Sequence, residues 1–172
     1  MKGKKVIIDA DILSMFAKVD AIDVLCEFLG KGRVEMTPAI RDEISVPLQY
    51  GYSFPEKVLS KIPVIPLTGK AWQEHERLWA IGSSLGKGEL EAVAFCSAEG
   101  ALFATNDSVA RRFAQDQGVQ VISLQAILRG LWLSGTRSKG EVKELLERIK
   151  KADYLEVPPE VEMEIFSESE GG

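Results

Sequence analysis

The stretch "KKVIIDADILSMF", residues 4–16, limits what this chain can fold into more than any other. Val6, Ile7 and Ile8 form an unbroken β-branched apolar run, the mark of a strand buried on both faces. Strands of that kind belong to parallel sheets covered by helices on both sides. Asp9 and Asp11 follow at once, and Ile12, Leu13, Met15 and Phe16 then resume at helical spacing. Two acids therefore stand where a buried strand ends, which is where sheets of this class build their sites.

The rest of the chain keeps the same alternation. "DILSMFAKVDAIDVLCEFLGKG" reads as helical, broken near residues 19–20 and capped by Gly30. "RVEMT" is a short strand, and "TPAIRDEI" opens a helix with Thr37 as N-cap and Pro38 in the first turn. "PEKVLSKI" is a short helix, and the prolines of "PVIPL" suit an extended edge. "GKAWQEHERLWAIGSSLG" and "GKGELEAVAFCSAEG" are helical; "ALFATND" is a second buried strand, "SVARRFAQDQG" a helix and "VQVISL" a further strand. "QAILRGLWLSG" and "KGEVKELLERIKKADYL" are terminal helices. No repeat or long linker interrupts this order. It predicts an α/β chain: a three-layer α/β/α, doubly wound, mostly parallel sheet with extra C-terminal helices. A chain of 172 residues makes one domain over residues 1–155, followed by an acidic tail, residues 156–172, disordered at its end.

Composition removes several function classes. The net charge of −5 argues against a surface that grips nucleic acid as a whole, though not against local phosphate contacts. No apolar run approaches the roughly 20 residues that span a bilayer. "MKGKKVIID" leads straight into a strand without a leader-length apolar region, and the reading is a cytoplasmic protein with no membrane segment. Cys26 and Cys96 lie in apolar helical patterns without metal-binding spacing and read as buried thiols. The single histidine, His75, has no Ser or Cys constellation attached, so neither a catalytic triad nor a histidine-ligated metal is expected.

Acids recur at element boundaries. Asp9 ends the first strand, Glu43 lies on the helix begun by "TPAIRDEI", Glu89 and Glu91 open "GELEAVAFC", and Asp107 ends "ALFATND". Each has an ordinary reading: Asp11 as N-cap of the next helix, Glu43 as a solvated residue, Glu89 and Glu91 as complements to a helix dipole, Asp107 as a cap. Together they fall at ends that a parallel sheet brings to one edge. Carboxylates that converge in a partly dry cleft need a cation. An oxygen-only donor set suits Mg²⁺ or Mn²⁺ rather than zinc. Residues two apart on a helix point about 200° from each other. Glu91 is three and four residues before Ala94 and Phe95, which puts it on the side facing the sheet and makes it the direct ligand, with Glu89 in an outer or second-metal role.

In order and approximate spacing, "VIIDADIL", "TPAIRDEI", "GELEAVAF" and "LFATNDSVARRFA" resemble the motifs of PIN-domain nucleases, in the prokaryotic branch that includes VapC-like toxins. The resemblance covers residues 4–133. It implies a metal-dependent ribonuclease, with Asp9, Glu43, Glu91 and Asp107 matching the metal-binding acids, Thr105 and Asn106 a polar pair beside the last, and Asp11 a variable polar position. "GELEA" is also similar to the paired-glutamate motif of flap endonucleases, which brings in Glu89. The departures are Glu91, where many of the toxins carry an aspartate, and a longer C-terminal region.

The chemistry implied is hydrolysis of RNA phosphodiesters, with the metal generating the nucleophile because no histidine is in place to act as base. Arg111 and Arg112, one turn after Asp107, and Lys87, before Glu89, read either as contacts to single-stranded RNA or as a solvated face. Tyr50, Tyr52 and Phe54 could stack on unpaired bases or pack on a neighbouring helix or subunit. The implied partners are an antitoxin protein and a second copy of the chain, the latter through Leu124, Ile127, Leu128, Leu131 and Trp132. Two other readings stand beside this one. A PIN fold that only binds RNA or protein would have no need of clustered acids. A haloacid-dehalogenase-type phosphatase also opens on Asp-x-Asp, but "DADILSMF" lacks the Thr, Val or Gly that usually follows.

Overall fold

The buried runs pair side by side. In the computed structural model, which describes residues 3–168, β1 (Val6–Ile8), β2 (Val34–Glu35), β3 (Leu102–Ala104) and β4 (Val121–Ile122) form one parallel sheet in the order β2-β1-β3-β4. Val6 is in register with Val34 on one side and with Leu102 on the other, so β1 lies inside the sheet. Its three residues are buried, which is why no polar residue interrupts them. The segment "PVIPL" adds a single parallel bridge, Met36 to Val64, beyond β2. Because the chain moves from β1 to β2 and then crosses to β3 on the other side, the sheet changes direction between β1 and β3. The carboxyl ends of those two strands flank that switch, and Asp9 and Asp107 follow them.

Helices cover both faces, giving the three-layer, doubly wound architecture expected. α1 (Ala10–Lys18) starts directly at Asp9 and buries Ile12, Leu13, Met15, Phe16 and Ala17. It is broken from α2 (Ile22–Leu29) by Asp20, whose φ of 58° is left-handed and stops the helix. α3 (Pro38–Ser45) runs into a 3₁₀ turn (Val46–Tyr50), followed by α4 (Phe54–Leu59) and α5 (Gly69–Ile81). α6 (Lys87–Glu99) is buried almost all round, every residue from Leu90 to Cys96 lying inside. α7 (Ser108–Asp116), α8 (Leu124–Leu133) and α9 (Lys139–Asp153) complete the layers.

Two expectations need correction here. Within residues 156–168, expected as part of an acidic tail, Pro159–Phe166 form α10, docked on α8. Trp132 Nε1 donates to the Ile165 carbonyl at 2.8 Å, and Arg129 Nη1 donates to the Glu164 and Ser167 carbonyls at 2.6 and 2.8 Å. Those bonds satisfy carbonyls at a helix end, which would otherwise be orphaned. Residues 169–172, the end expected to be disordered, lie outside the described residues. The apolar face of α8 is also used within the chain: Leu124, Ile127, Leu128 and Leu131 are core, and α10 bonds Trp132. It is not an exposed surface for pairing two copies.

Candidate active site

The site is assembled from helix starts. Asp9 is the N-cap of α1: its Oδ1 accepts from the Ala10 amide at 2.7 Å and its Oδ2 from the Thr105 hydroxyl at 2.9 Å. The helix thus begins two residues earlier than an Asp11 N-cap implies, and Asp11 sits in the first turn instead. Asp107 caps α7, its Oδ1 accepting from the amides of Val109 and Ala110 at 2.8 and 2.9 Å, while its own amide donates to Thr105 Oγ1 at 3.1 Å. Thr105 is fully buried and joins the ends of β1 and β3 through one hydroxyl.

Glu43 and Glu89 approach from the other side. Glu43 Oε1 accepts from the Gly88 amide at 3.0 Å. A side chain at 88 would collide with that carboxylate, so glycine is what lets α3 come this close to the start of α6. Glu89, in the first turn of α6, reaches back to the Gly86 amide at 3.3 Å in a capping-box geometry.

Electrostatics shows which acids share a region. Burial pushes the Asp9 carboxyl up to about 6, with the charges of Asp11 and Glu43 adding to it and the Thr105 hydrogen bond opposing. Glu89 is raised to about 7 by desolvation and then by Asp9, Asp107 and Glu43. Glu43 is raised by burial and by Asp11, against the Gly88 hydrogen bond. Asp11, although at the surface, is raised by partial desolvation of its carboxyl and by Asp153 and Asp107, against Lys18. Asp9, Asp11, Glu43, Glu89 and Asp107 therefore form one mutually repelling set.

Glu91, expected as a direct metal ligand, is held differently. Its carboxylate is buried and accepts from the Ala39 amide at 2.9 Å, capping α3 from a neighbouring helix. Thr37 holds the N-cap position but makes no capping bond, and its buried hydroxyl has no partner among the described residues. Of the pair, Glu89 is the residue whose carboxyl feels the charges of Asp9, Asp107 and Glu43.

Arg111, Arg112 and Lys87 are exposed, and their side chains make no ion pair or hydrogen bond among the described residues. Arg111 and Arg112 lie on α7, the helix that Asp107 caps, and Lys87 opens α6 two residues before Glu89. Asn106 is exposed between Thr105 and Asp107. Tyr50 and Tyr52 are open to solvent, whereas Phe54 is half-buried beneath the Lys18 ammonium, 5.2 Å from its ring centre. Sequence reasoning passed over Gly88, although its place directly before Glu89 in "GKGE" was a usable signal of close approach.

Among the described residues, no three His, Cys, Asp or Glu side chains stand close enough to cage a metal as arranged. The donor set is nonetheless all carboxylate oxygen, the chemistry of a hard divalent cation.

A family model described as PIN domain matches residues 5–170, which takes in α10 as well as the four motif segments. No curated protein matches the chain. Among solved structures, VapBC2 from Rickettsia felis, bound to a DNA fragment from their promoter, is similar with a TM-score of 0.53. The match covers 69% of this chain and 98% of that one at 15% identity, a likeness of fold.

Proposed function

The chain belongs to the PIN-domain family, and from that premise we propose that it is a divalent-metal-dependent ribonuclease that hydrolyses phosphodiester bonds of single-stranded RNA. One observation carries the reading: at the carboxyl end of the sheet the carboxyls of Asp9, Asp11, Glu43 and Glu89 are pushed up by burial and by neighbouring acids, Asp107 among them, and Lys18, already paired with Asp153 at 2.6 Å, opposes this only at Asp11. A fold that kept this end only for stability would match those charges with cations.

Asp9, Glu43, Glu89 and Asp107 are the residues that would hold Mg²⁺ or Mn²⁺, with Asp11 at the rim. The bound ion would supply Lewis-acid polarisation of the phosphate and activation of a water. The chain's own part is to aim its oxygens. Thr105 and the Ala10 amide fix the Asp9 carboxylate, Gly88 fixes Glu43, and the α7 amides fix Asp107 through Oδ1, leaving Oδ2 to turn toward a ligand. Glu91 acts at one remove by holding Ala39 in the first turn of α3, four residues before Glu43. Arg111, Arg112 and Lys87 supply the unpaired cations for phosphates on either side of the broken bond. The likeness to VapBC2 supports a protein partner, an antitoxin, and the role of the toxin in such a pair. No helix among the described residues is long and apolar enough to cross a membrane.

The test is cleavage of a labelled single-stranded RNA with Mg²⁺ or Mn²⁺. The parent should cut and EDTA should stop it. Asp9→Asn, which removes one ligand charge at constant shape, should cost several kcal/mol of transition-state stabilisation, on the order of 10²- to 10³-fold in rate. Equal rates for parent and variant would remove Asp9 from the site.

A further inference from the structure

A cavity of about 270 Å³ opens between α8, α10 and the segment joining α9 to α10. Leu128, Leu155, Val157 and Ile165 give it apolar walls, and the amides of Asn106 and Gln125 stand at its lining. Both amides are exposed, and neither makes a side-chain hydrogen bond among the described residues. The cavity borders the acidic site along two paths. Asn106 sits between Thr105, bonded to Asp9, and Asp107. On the other side, Asp153, close enough for its charge to act on Asp11, is followed by Tyr154 and then by Leu155 of the cavity wall. Tyr154, directly before Leu155 of the wall, ends α9 with a left-handed φ of 53° and is 91% exposed.

We propose that this cavity is a subsite for one unpaired nucleobase of the substrate strand, adjacent to the phosphate on which the acids act; the inference rests on the ribonuclease reading. Size argues for a single flat ring, since the volume lies just below the roughly 300–1,000 Å³ of sites that enclose drug-sized ligands. Chemistry argues for a base over an apolar peptide side chain. A leucine or phenylalanine seated here would cover both amides and satisfy neither, at a desolvation cost. A base offers apolar faces to Leu128, Leu155 and Val157 and a rim of donors and acceptors to Asn106 and Gln125. Amide side chains pair with base edges of this kind, and unstacked bases are what single-stranded RNA presents. Tyr154 provides a face on which the next base can stack. Glu156, also at the lining, disfavours a phosphate inside the cavity and keeps the backbone on the outer side.

The experiment has two arms. In the first, metal-free protein in EDTA is titrated with AMP, GMP, CMP and UMP, followed by amide chemical shifts. One or two of the four should bind, with a dissociation constant on the order of 1 mM and about fivefold or more tighter than the others. Val157→Trp, which fills the cavity from a half-buried loop position, and Asn106→Ala should each weaken that binding about fivefold or more. If melting shows Val157→Trp to be unfolded, Gln125→Ala at an exposed position replaces it. Equal binding of all four nucleotides, no binding, or a folded cavity variant that binds like the parent overturns the subsite. In the second arm, cut sites in a mixed-sequence RNA are mapped. The parent should favour one base class at a fixed position beside the cut, and Asn106→Ala should erase that preference. Selective nucleotide binding without RNA cleavage would leave the subsite standing and remove the ribonuclease. Cleavage without base preference or nucleotide binding would do the reverse.

Discussion

The two ends of the sheet treat charge in opposite ways. At the amino end, Lys5 pairs with Glu35 at 3.3 Å, Lys4 donates to the Gln120 side chain at 3.1 Å, and Arg33 Nε donates to the Lys4 carbonyl at 2.7 Å. Each of these cations meets an acceptor, a carboxylate for Lys5 and a neutral oxygen for Lys4 and Arg33. At the carboxyl end, Asp9, Glu43, Glu89 and Asp107 accept from the amides of Ala10, Gly88, Gly86, Val109 and Ala110. Such amides orient a carboxylate and satisfy its lone pairs, but they bring no net charge to cancel it. Strands of three residues or fewer thus separate an end whose cations all meet acceptors, matched in hydrogen bonding, from one whose gathered acids are unmatched in charge. The unmatched end is where a positively charged ligand changes most.

The largest test of that contrast is pH. In the metal-free protein the Asp9 carboxyl, raised from 3.8 to about 6, binds protons more tightly folded than unfolded. The native state then holds the extra proton between those values, so stability falls as pH rises from about 4 through about 6, and Glu89 extends the fall to about 7. For Asp9 the shift amounts to about 3 kcal/mol above that window. Asp9→Asn should therefore be more stable than the parent at about pH 8 by up to this order, and the difference should close below about pH 4. Mn²⁺ at about 100 times its dissociation constant should raise parent stability by about 2.7 kcal/mol and leave the variant less affected. Urea melts with EDTA and with Mn²⁺ at several pH values measure both. A parent whose stability is flat across the window would show that this end of the sheet is as well matched as the other.

Glu89 and Glu91 bring the comparison onto a single helix. Glu89→Gln should lower cleavage on the order of 10²-fold at limiting metal, while leaving stability unchanged or slightly raised. Glu91→Ala should instead lower stability by about 1–3 kcal/mol, because the buried Ala39 amide loses its acceptor. Melting curves and rates on the same two proteins separate a charge that meets a ligand from one that caps a helix.

Much of this was legible in the sequence, and the exceptions have physical causes. The β-branched run of β1 admits one buried strand and fixes where Asp9 lies, and Gly30 and the break at Asp20 mark helix ends. The choice between Glu89 and Glu91 was not legible, because it was made on burial. α6 is enclosed by α5, α3 and the sheet, so a buried side does not identify the side that faces the site. α10 was illegible for the opposite reason. It buries only Ile165 fully, and Arg129 and Trp132 hold it through hydrogen bonds to its backbone carbonyls, which leave no mark on its composition.

A smaller effect is expected at Gly88. In Gly88→Ala the new methyl group meets Glu43 Oε1, with Glu43 Cδ at 3.0 Å and Ile40 Cγ1 at 3.3 Å, so the carboxylate must swing away from its amide. Alanine's better helix propensity offsets part of this, by up to about 1 kcal/mol. A net loss of about 1 kcal/mol and a fall in cleavage of about tenfold are expected, since over-packing typically costs about 1–3 kcal/mol. Wild-type metal affinity in this variant would show that Glu43 does not depend on Gly88 for its position.

The smallest effect belongs to the matched end. Lys5 and Glu35 form an ion pair whose lysine is about half exposed, 48% for its side chain against 14% for that of Glu35. Exposed pairs of this kind lose most of their attraction to solvent screening and to the entropy of holding a long side chain still. Lys5→Met should thus change stability by no more than about 0.5 kcal/mol, and less in high salt. Glu35→Gln should match it, and the double variant should show a coupling of the same small size. Neither should alter RNA cleavage, because the two side chains engage each other and neither bonds to Asp9, Glu43, Glu89 or Asp107. A Lys5→Met protein that lost activity while keeping its melting temperature would mean that the amino end takes part in binding, and the division between the two ends would have to be redrawn.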